Sequence, residues 1–461
     1  ALTYNDWKFA YEEIDDKVYI TRVNQEGSGA LDMTQTNSVG KELMGIAPTT
    51  FQGNTTLTSL SLPVSCIALD NYLNTSYTGA GTENATITPE VTIPGKSPWQ
   101  LTLCGTTDGT SYNQWGSGLL ATGQESLANS YPNGFQLYWS EAGKLIAKVN
   151  GSSENAFNNT ASSKFKIVIV HDGQGKVTMS LYADNKAVET KTFTGVTFND
   201  ITTFSHSIPA GINVTSLFIS DATLHNKPFS GCSAVEKYAV AEGNAWFQAV
   251  DGNLCSKSSG DLLAYAEGKL YQRAYTLKNA SDSYYATTNP PADANGVIKA
   301  DDYNNAQRVV TTAADLTPAA LVRFAKVSDK NEIFHLNSGG YYGGKSGTGG
   351  NGQQIEVLAL AKWAGDYTLT QRSEFNNDLV AEVSLACNGF NLASSEGKFI
   401  LSNTAPADGN ASVWQIAEAT SLPVTVSEAL WTALCLPVDV VVPEASEAEV
   451  YVADAATSNK V

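Results

Sequence analysis

The sequence predicts a mostly β, multidomain protein: a short stack of repeats interrupted by a two-sheet sandwich, then a threefold barrel and a small terminal β module. Three features point to it. A spacing that begins at Phe51 returns at Phe229. Between them, runs of residues alternate apolar and polar with a period of two. Beyond residue 272 a different pattern recurs about every 50 residues.

At 461 residues the chain is too long for one core. Hydrophobic residues make up 42% and charged ones 16%, with 38 glycines and much Thr, Ser and Asn, a balance that favours strands and turns over helices. The net charge of −18 and the absence of any basic run argue against binding to nucleic acid or anionic membranes, which clustered Lys and Arg carry. No run of 18 apolar residues exists to span a membrane. The chain starts at Ala1 without Met, as a processed secreted protein or a trimmed chain would. Six cysteines are spread singly, so cysteine ligation of metal is not expected, and Cys232 reads as a free, core-facing thiol.

Residues 1–69 hold lead-in strands and the first repeat, Phe51-x-Gly53-Asn54-x-x-Leu57-x-x-Leu60-x-Leu62. The second copy is Phe229-x-Gly231-Cys232-x-x-Val235-x-x-Tyr238-x-Val240, starting 229 − 51 = 178 positions later. Each copy has an apolar face that it cannot cover alone and must stack on its neighbour. A self-folding module therefore separates two adjoining coils. The acidic run Glu12-Glu13-Ile14-Asp15-Asp16 lacks the spacing of a catalytic pair and reads as a solvated turn.

In residues 70–226, stretches such as Trp99–Leu103, Phe135–Trp139, Phe165–Val170 and Val177–Tyr182 alternate strictly, joined by turns such as Asp172-Gly173-Gln174-Gly175. Many such strands imply a two-sheet sandwich with Trp99 and Trp139 in its core. Residues 227–270 continue the stack, with Trp246 packed between its turns. Residues 271–420 hold three units opening at Tyr275, Ile333 and Val383, each with an aromatic or polar turn and a closing strand ending near Val327, Thr370 and Ile416. One unit has too few strands to stand alone, so the three close together. Gly343–Gly347 lacks the spacing of a phosphate loop and reads as a hairpin tip. Residues 421–461 alternate again as a short β module.

Three resemblances rest on these residues. The stretches Thr50–Pro63 and Val235–Leu254, with the lead-in Val18–Val23, resemble the BspA-like leucine-rich repeats of bacterial surface proteins. The segment Phe165–Thr192 and the closing strand Leu217–Asn226 resemble the concanavalin-A-like or laminin-G-like jelly roll. The three units after 271 look like a ricin-type β-trefoil, departing from it in lacking the Q-x-W triplet, to which Ser412-Val413-Trp414 comes nearest.

Together these resemblances imply a non-enzymatic, extracellular or cell-surface bacterial protein that binds carbohydrate through the jelly roll, the trefoil or both. The partner is then a glycan or a host or bacterial surface protein, with no nucleic acid. The alternatives are an adhesin or scaffold that binds proteins along the repeat surface, or a glycoside hydrolase, which needs two carboxylates about 5–10 Å apart. The candidate ligand residues are Tyr112, Trp115, Tyr131 and Tyr341, aromatic rings in turns and loops on which a sugar face can stack. No cofactor is implied, and Ca²⁺ at a rim loop of the sandwich stays open.

Overall fold

The computed structural model describes residues 1–69, 73–78, 85–89, 92–108, 118–122, 134–140, 143–150, 155–160, 163–184, 186–208, 211–221, 227–288, 309–327, 333–338, 340–344, 350–358 and 360–420. Their regular structure is nearly all strand, in two units, Ala1–Glu267 and Gly268–Val461.

In the first unit Leu2–Tyr4, Trp7–Ile14 and Lys17–Gln25 form an antiparallel meander, joined in parallel by Leu43–Ile46. Asp15 and Asp16 both take left-handed φ, 49° and 61°. Such a two-residue turn matches the twist of its flanking strands.

Beside the meander, Ala30–Asp32, Ser59–Leu62 and Lys237–Val240 pair in parallel, so that Leu31, Leu60 and Tyr238 sit in one row. All three are buried in one core with Phe51, Leu57, Phe229 and Val235. The rings of Phe51 and Phe229 stack with centroids 6.2 Å apart. Gly53 N–H donates to the Ser230 carbonyl, and a Cβ on Gly231 would lie 3.2 Å from Gly53 Cα. Both glycines have φ near 70°, so two successive coils meet through turns that only glycine makes without strain. Tyr238 N–H donates to the Gly252 carbonyl, bringing the Phe247–Val250, Asn253–Ser256 and Leu262–Ala264 meander against the last strand of the row. Trp246 is buried in the same core.

Between the coils lie two six-stranded sheets. One runs Asn155–Thr160, Lys144–Val149, Phe135–Trp139, Leu120–Thr122, Phe204–His206, Ala85–Ile87. The other runs Lys186–Phe193, Val177–Ala183, Lys164–Asp172, Pro98–Thr107, Ile212–Asp221, Leu73–Thr78. Their facing side chains, among them Trp99, Leu103, Leu137, Trp139, Ile167 and Ile169, make one core. Leu73 pairs with Ile219, so the chain enters the sandwich by its first strand and leaves it by its last side by side, and the stack can resume.

The sandwich is packed on the meander. Phe218 meets the edge of Tyr19 among Ile14, Met44 and Ala68. Lys166 Nζ lies 3.1 Å from the Asp15 carboxylate and 4.8 Å from the Tyr182 ring centre. The acidic turn is therefore not wholly solvated: Asp15 is mostly covered because the sandwich brings a cation to it.

The second unit is a closed ring. Ala274–Asn279, Val322–Lys326, Phe334–Asn337, Tyr367–Gln371, Val380–Cys387 and Trp414–Glu418 pair in that order, and the last returns to the first. Three hairpins, Tyr285–Thr288 with Val310–Ala313, Tyr341–Tyr342 with Val357–Leu358, and Phe390–Ser395 with Lys398–Ser402, bridge one another at Thr311–Lys398, Val309–Glu356 and Gln354–Ile400. A six-stranded barrel capped by three hairpins is the β-trefoil arrangement. Its core is an aromatic chain from Tyr275 through Phe324, Phe334 and Tyr367, and from Tyr342 through Phe399 to Trp414.

Cys66, Cys104, Cys232, Cys255 and Cys387 are thiols outside any disulfide, all buried except the half-buried Cys104. Cys435, the terminal β module and the centre of the Gly343–Gly347 tip lie outside the described residues. Among the described residues no helix is long and apolar enough to cross a membrane.

Candidate functional site

Strand register places the three barrel repeats on a common scale. The pairs Tyr275–Val322, Phe334–Tyr367 and Val383–Trp414 occupy equivalent places. One residue further along the first strand stand Thr276, His335 and Ser384; one residue earlier on the second stand Leu321, Asp366 and Val413. In the first and third repeats these places are buried and small or apolar. In the second they hold an imidazole and a carboxylate whose Nε2 and Oδ1 lie 3.5 Å apart, with side chains 18% and 46% exposed. When protonated, His335 forms an ion pair with Asp366; when neutral, its Nε2 either donates or accepts according to tautomer.

Tyr341 belongs to the same cluster. The pairs Lys278–Tyr285, Asn337–Tyr341 and Ala386–Asn391 show that it is the second repeat's member of a threefold set. Alternation buries Tyr342 in the barrel and leaves Tyr341 half-buried, its ring edge-on to His335 at 6.1 Å.

The connection from Val357–Leu358 to Tyr367–Gln371 leads into Asp366. Gly365 N–H donates to the Tyr342 carbonyl, tying this connection to the hairpin. Within it Leu360 is 46% and Trp363 50% exposed, and Lys362 Nζ lies 4.7 Å from the centre of the Trp363 ring. A large apolar ring left half in water is the informative kind of exposure, because the core had every reason to take it. The second repeat thus offers an exposed indole and, on its paired strands, a phenol, an imidazole and a carboxylate.

Of the residues expected at a site, the structure brings only Tyr341 into this cluster. Tyr112, Trp115 and Tyr131 lie outside the described residues. Trp99 and Trp139 are core. Trp363, His335 and Asp366 escape sequence reasoning, although a Trp beside Lys in a short polar connection between strands is a readable signal for the first. On the outward face of the sandwich sheet, the described residues Thr86, Ala121, Gln136, Tyr138, Ile146, Lys148 and Ser205 include no carboxylate. Among the described residues no group of three or more His, Cys, Asp or Glu could hold a metal ion.

No family model matches the chain, and no curated protein matches it. Solved structures similar to it include the binding domain of botulinum neurotoxin serotype G, with 12% identity over 78% of this chain and 91% of that one and a TM-score of 0.24. Another is the binding domain of botulinum neurotoxin DC in complex with SialylT, with 11% identity over 76% and 90% and a TM-score of 0.24. A third is the exoplasmic/lumenal domain of VIP36 in its Ca²⁺/Man3GlcNAc-bound form, with 12% identity over 32% and 82% and a TM-score of 0.25. Likenesses of this size assign neither a family nor a function.

Proposed function

We propose that this is a glycan-binding protein and that the second barrel repeat is one of its contact sites. The observation that carries the reading is the departure of this repeat from the other two: His335 and Asp366, with the Tyr341 ring edge-on to His335, stand where the first and third repeats bury Thr276, Leu321, Ser384 and Val413, and an exposed Trp363 precedes Asp366 in the same connection. Sugars present an apolar face that stacks on an indole and a rim of hydroxyls that both donate and accept, which suits this set better than an apolar peptide does. The sandwich supplies the second candidate contact, through Tyr112, Trp115 and Tyr131. The setting we infer is extracellular or on a bacterial cell surface, resting on the resemblance of the stacked coils to BspA-like repeats. We assign binding rather than hydrolysis, and no cofactor; Ca²⁺ at a sandwich rim loop is tested by repeating the assay with a chelator.

The experiment is a glycan array with the whole chain, followed by calorimetry on the best ligand. Trp363→Ala or Tyr341→Ala is expected to weaken binding about tenfold or more, since one lost stacking contact contributes roughly 1–3 kcal/mol. If Trp115→Ala alone abolishes binding, the sandwich is the site. If no glycan binds, or if neither set of substitutions changes affinity, the reading fails.

A further inference from the structure

The binding reading above makes His335 and Asp366 part of a glycan contact, and of the side chains named for it the imidazole is the one that changes charge near neutral pH. His335 is the sole histidine of residues 268–461. Thr276 and Ser384 hold the equivalent places in the other two repeats and carry no titrating group, so a response to acid at this position belongs to the second repeat alone.

The strands on either side of His335 set its surroundings. Val322–Lys326 places Ala325 opposite it, and Arg323, the partner of Asn337, two residues along on the same face. Lys326 pairs with Phe334, and its Nζ lies 5.8 Å from the centre of the Tyr271 ring. On the other side Phe334 pairs with Tyr367, which brings Asp366 beside His335, Nε2 to Oδ1 3.5 Å. Tyr341 stands edge-on at 6.1 Å. Tyr367 pairs in turn with Cys387, whose thiol is pushed up to about 12 by burial and then by the charge of Asp366, so it stays neutral across the range considered. Lys362, in the connection before Asp366, lies over the Trp363 ring. The carboxylate in contact with His335 is therefore that of Asp366, with Arg323 and Lys362 the cations of the adjoining segments.

The contact between the two side chains is slack. Charge-assisted N–H···O bonds run about 2.7–2.9 Å, well short of 3.5 Å. A neutral imidazole carries one bare nitrogen that accepts; a charged one has two donors and no acceptor. Protonation therefore draws His335 and Asp366 together and changes both as partners for a ligand. A glycan hydroxyl that donates to the imidazole loses its acceptor, and one that donates to Asp366 must compete with a full cation for the carboxylate. Hydrogen bonds between two charged groups are the stronger kind, so the competition favours the closed pair.

We propose that the second barrel repeat releases its glycan in acid: protonation of His335 closes the His335–Asp366 pair and withdraws the acceptors that the two side chains offer a glycan at neutral pH. The proposal rests on the binding reading and adds its regulation. Trp363 and Tyr341 keep their apolar faces at every pH in question, so release is partial, a loss of hydrogen bonds with the stacking contact retained.

The test is a glycan array probed with the whole chain at about pH 7.5 and about pH 5.5, the interval across which imidazoles gain a proton, followed by calorimetry at both values with the array glycan of strongest signal. Its Kd should rise about fivefold or more at the lower pH. His335→Gln, which keeps a donor and an acceptor but never a charge, should give the same Kd at both values, whatever that Kd is. Asp366→Asn, which cannot form the ion pair, should likewise lose the response, and it serves should His335→Gln fold poorly. Trp363→Ala should weaken binding at both values by one common factor and leave the ratio as it was. Wild-type binding that Trp363→Ala weakens but pH leaves alone overturns the switch and spares the binding reading. An acid response that survives both His335→Gln and Asp366→Asn also overturns the switch alone. Absence of binding at either pH removes the reading and the switch with it.

Discussion

The stack and the barrel are both built from repeats, yet they use their polar residues in opposite ways. In the stack, the turn position is structural. Asn54 Oδ1 accepts from the N–H groups of Thr56 and Leu57, and its Nδ2 donates to Glu26. Asn244 repeats this on Trp246 and Phe247, while its Nδ2 reaches the carbonyls of Pro63 and Cys66 in the preceding coil. Cys232, at the corresponding place of the intervening copy, puts its thiol 2.9 Å from the Phe51 carbonyl. In the barrel the core positions are apolar in every repeat, and the neighbouring positions are free to diverge. A repeat that satisfies buried backbone with side chains must keep a hydrogen-bonding group there, whereas one that closes by apolar packing can give its outer positions to a ligand.

Four substitutions put this contrast at risk. The largest loss is expected for Asn244→Ala, which orphans two N–H groups and two carbonyls in a fully buried place; about 3 kcal/mol or more should disappear from the urea-unfolding free energy of the first unit. Asn54→Ala, nearer the surface, should cost about 1–2 kcal/mol in the same measurement. Asp15→Asn leaves Lys166 with the Tyr182 ring but no anion, and a fall of about 1 kcal/mol in unfolding free energy is expected because the pair is only partly screened. High salt should narrow that gap between wild type and variant. Asp366→Val, which copies the third repeat, should change stability by less than about 0.5 kcal/mol while weakening glycan binding several-fold. A large stability loss from Asp366→Val, or a negligible one from Asn244→Ala, would remove the distinction between the two kinds of repeat.

Much of the architecture is legible in local spacing. The Phe-x-Gly turn marks the coils because a left-handed glycine and a buried ring are both local requirements, and the period of two marks the sandwich strands because one face of each is dry. The Ala30–Asp32 strand is not legible: its sole buried residue is Leu31, and no Phe-x-Gly turn precedes it. Asp15 reads as solvated because its partner Lys166 lies 151 positions away. His335 lacks any ligand spacing, and nothing local ties it to Asp366.

Which residues form strands, where the stack breaks and resumes, and that three similar units come after it are all set along the chain, because each depends on alternation or spacing within about a dozen residues. Which repeat of the barrel is open emerges only on folding. His335, Tyr341 and Asp366 converge through the register of strands paired across the barrel and its cap. Register between distant strands is set by closure of the whole core, not by any one segment.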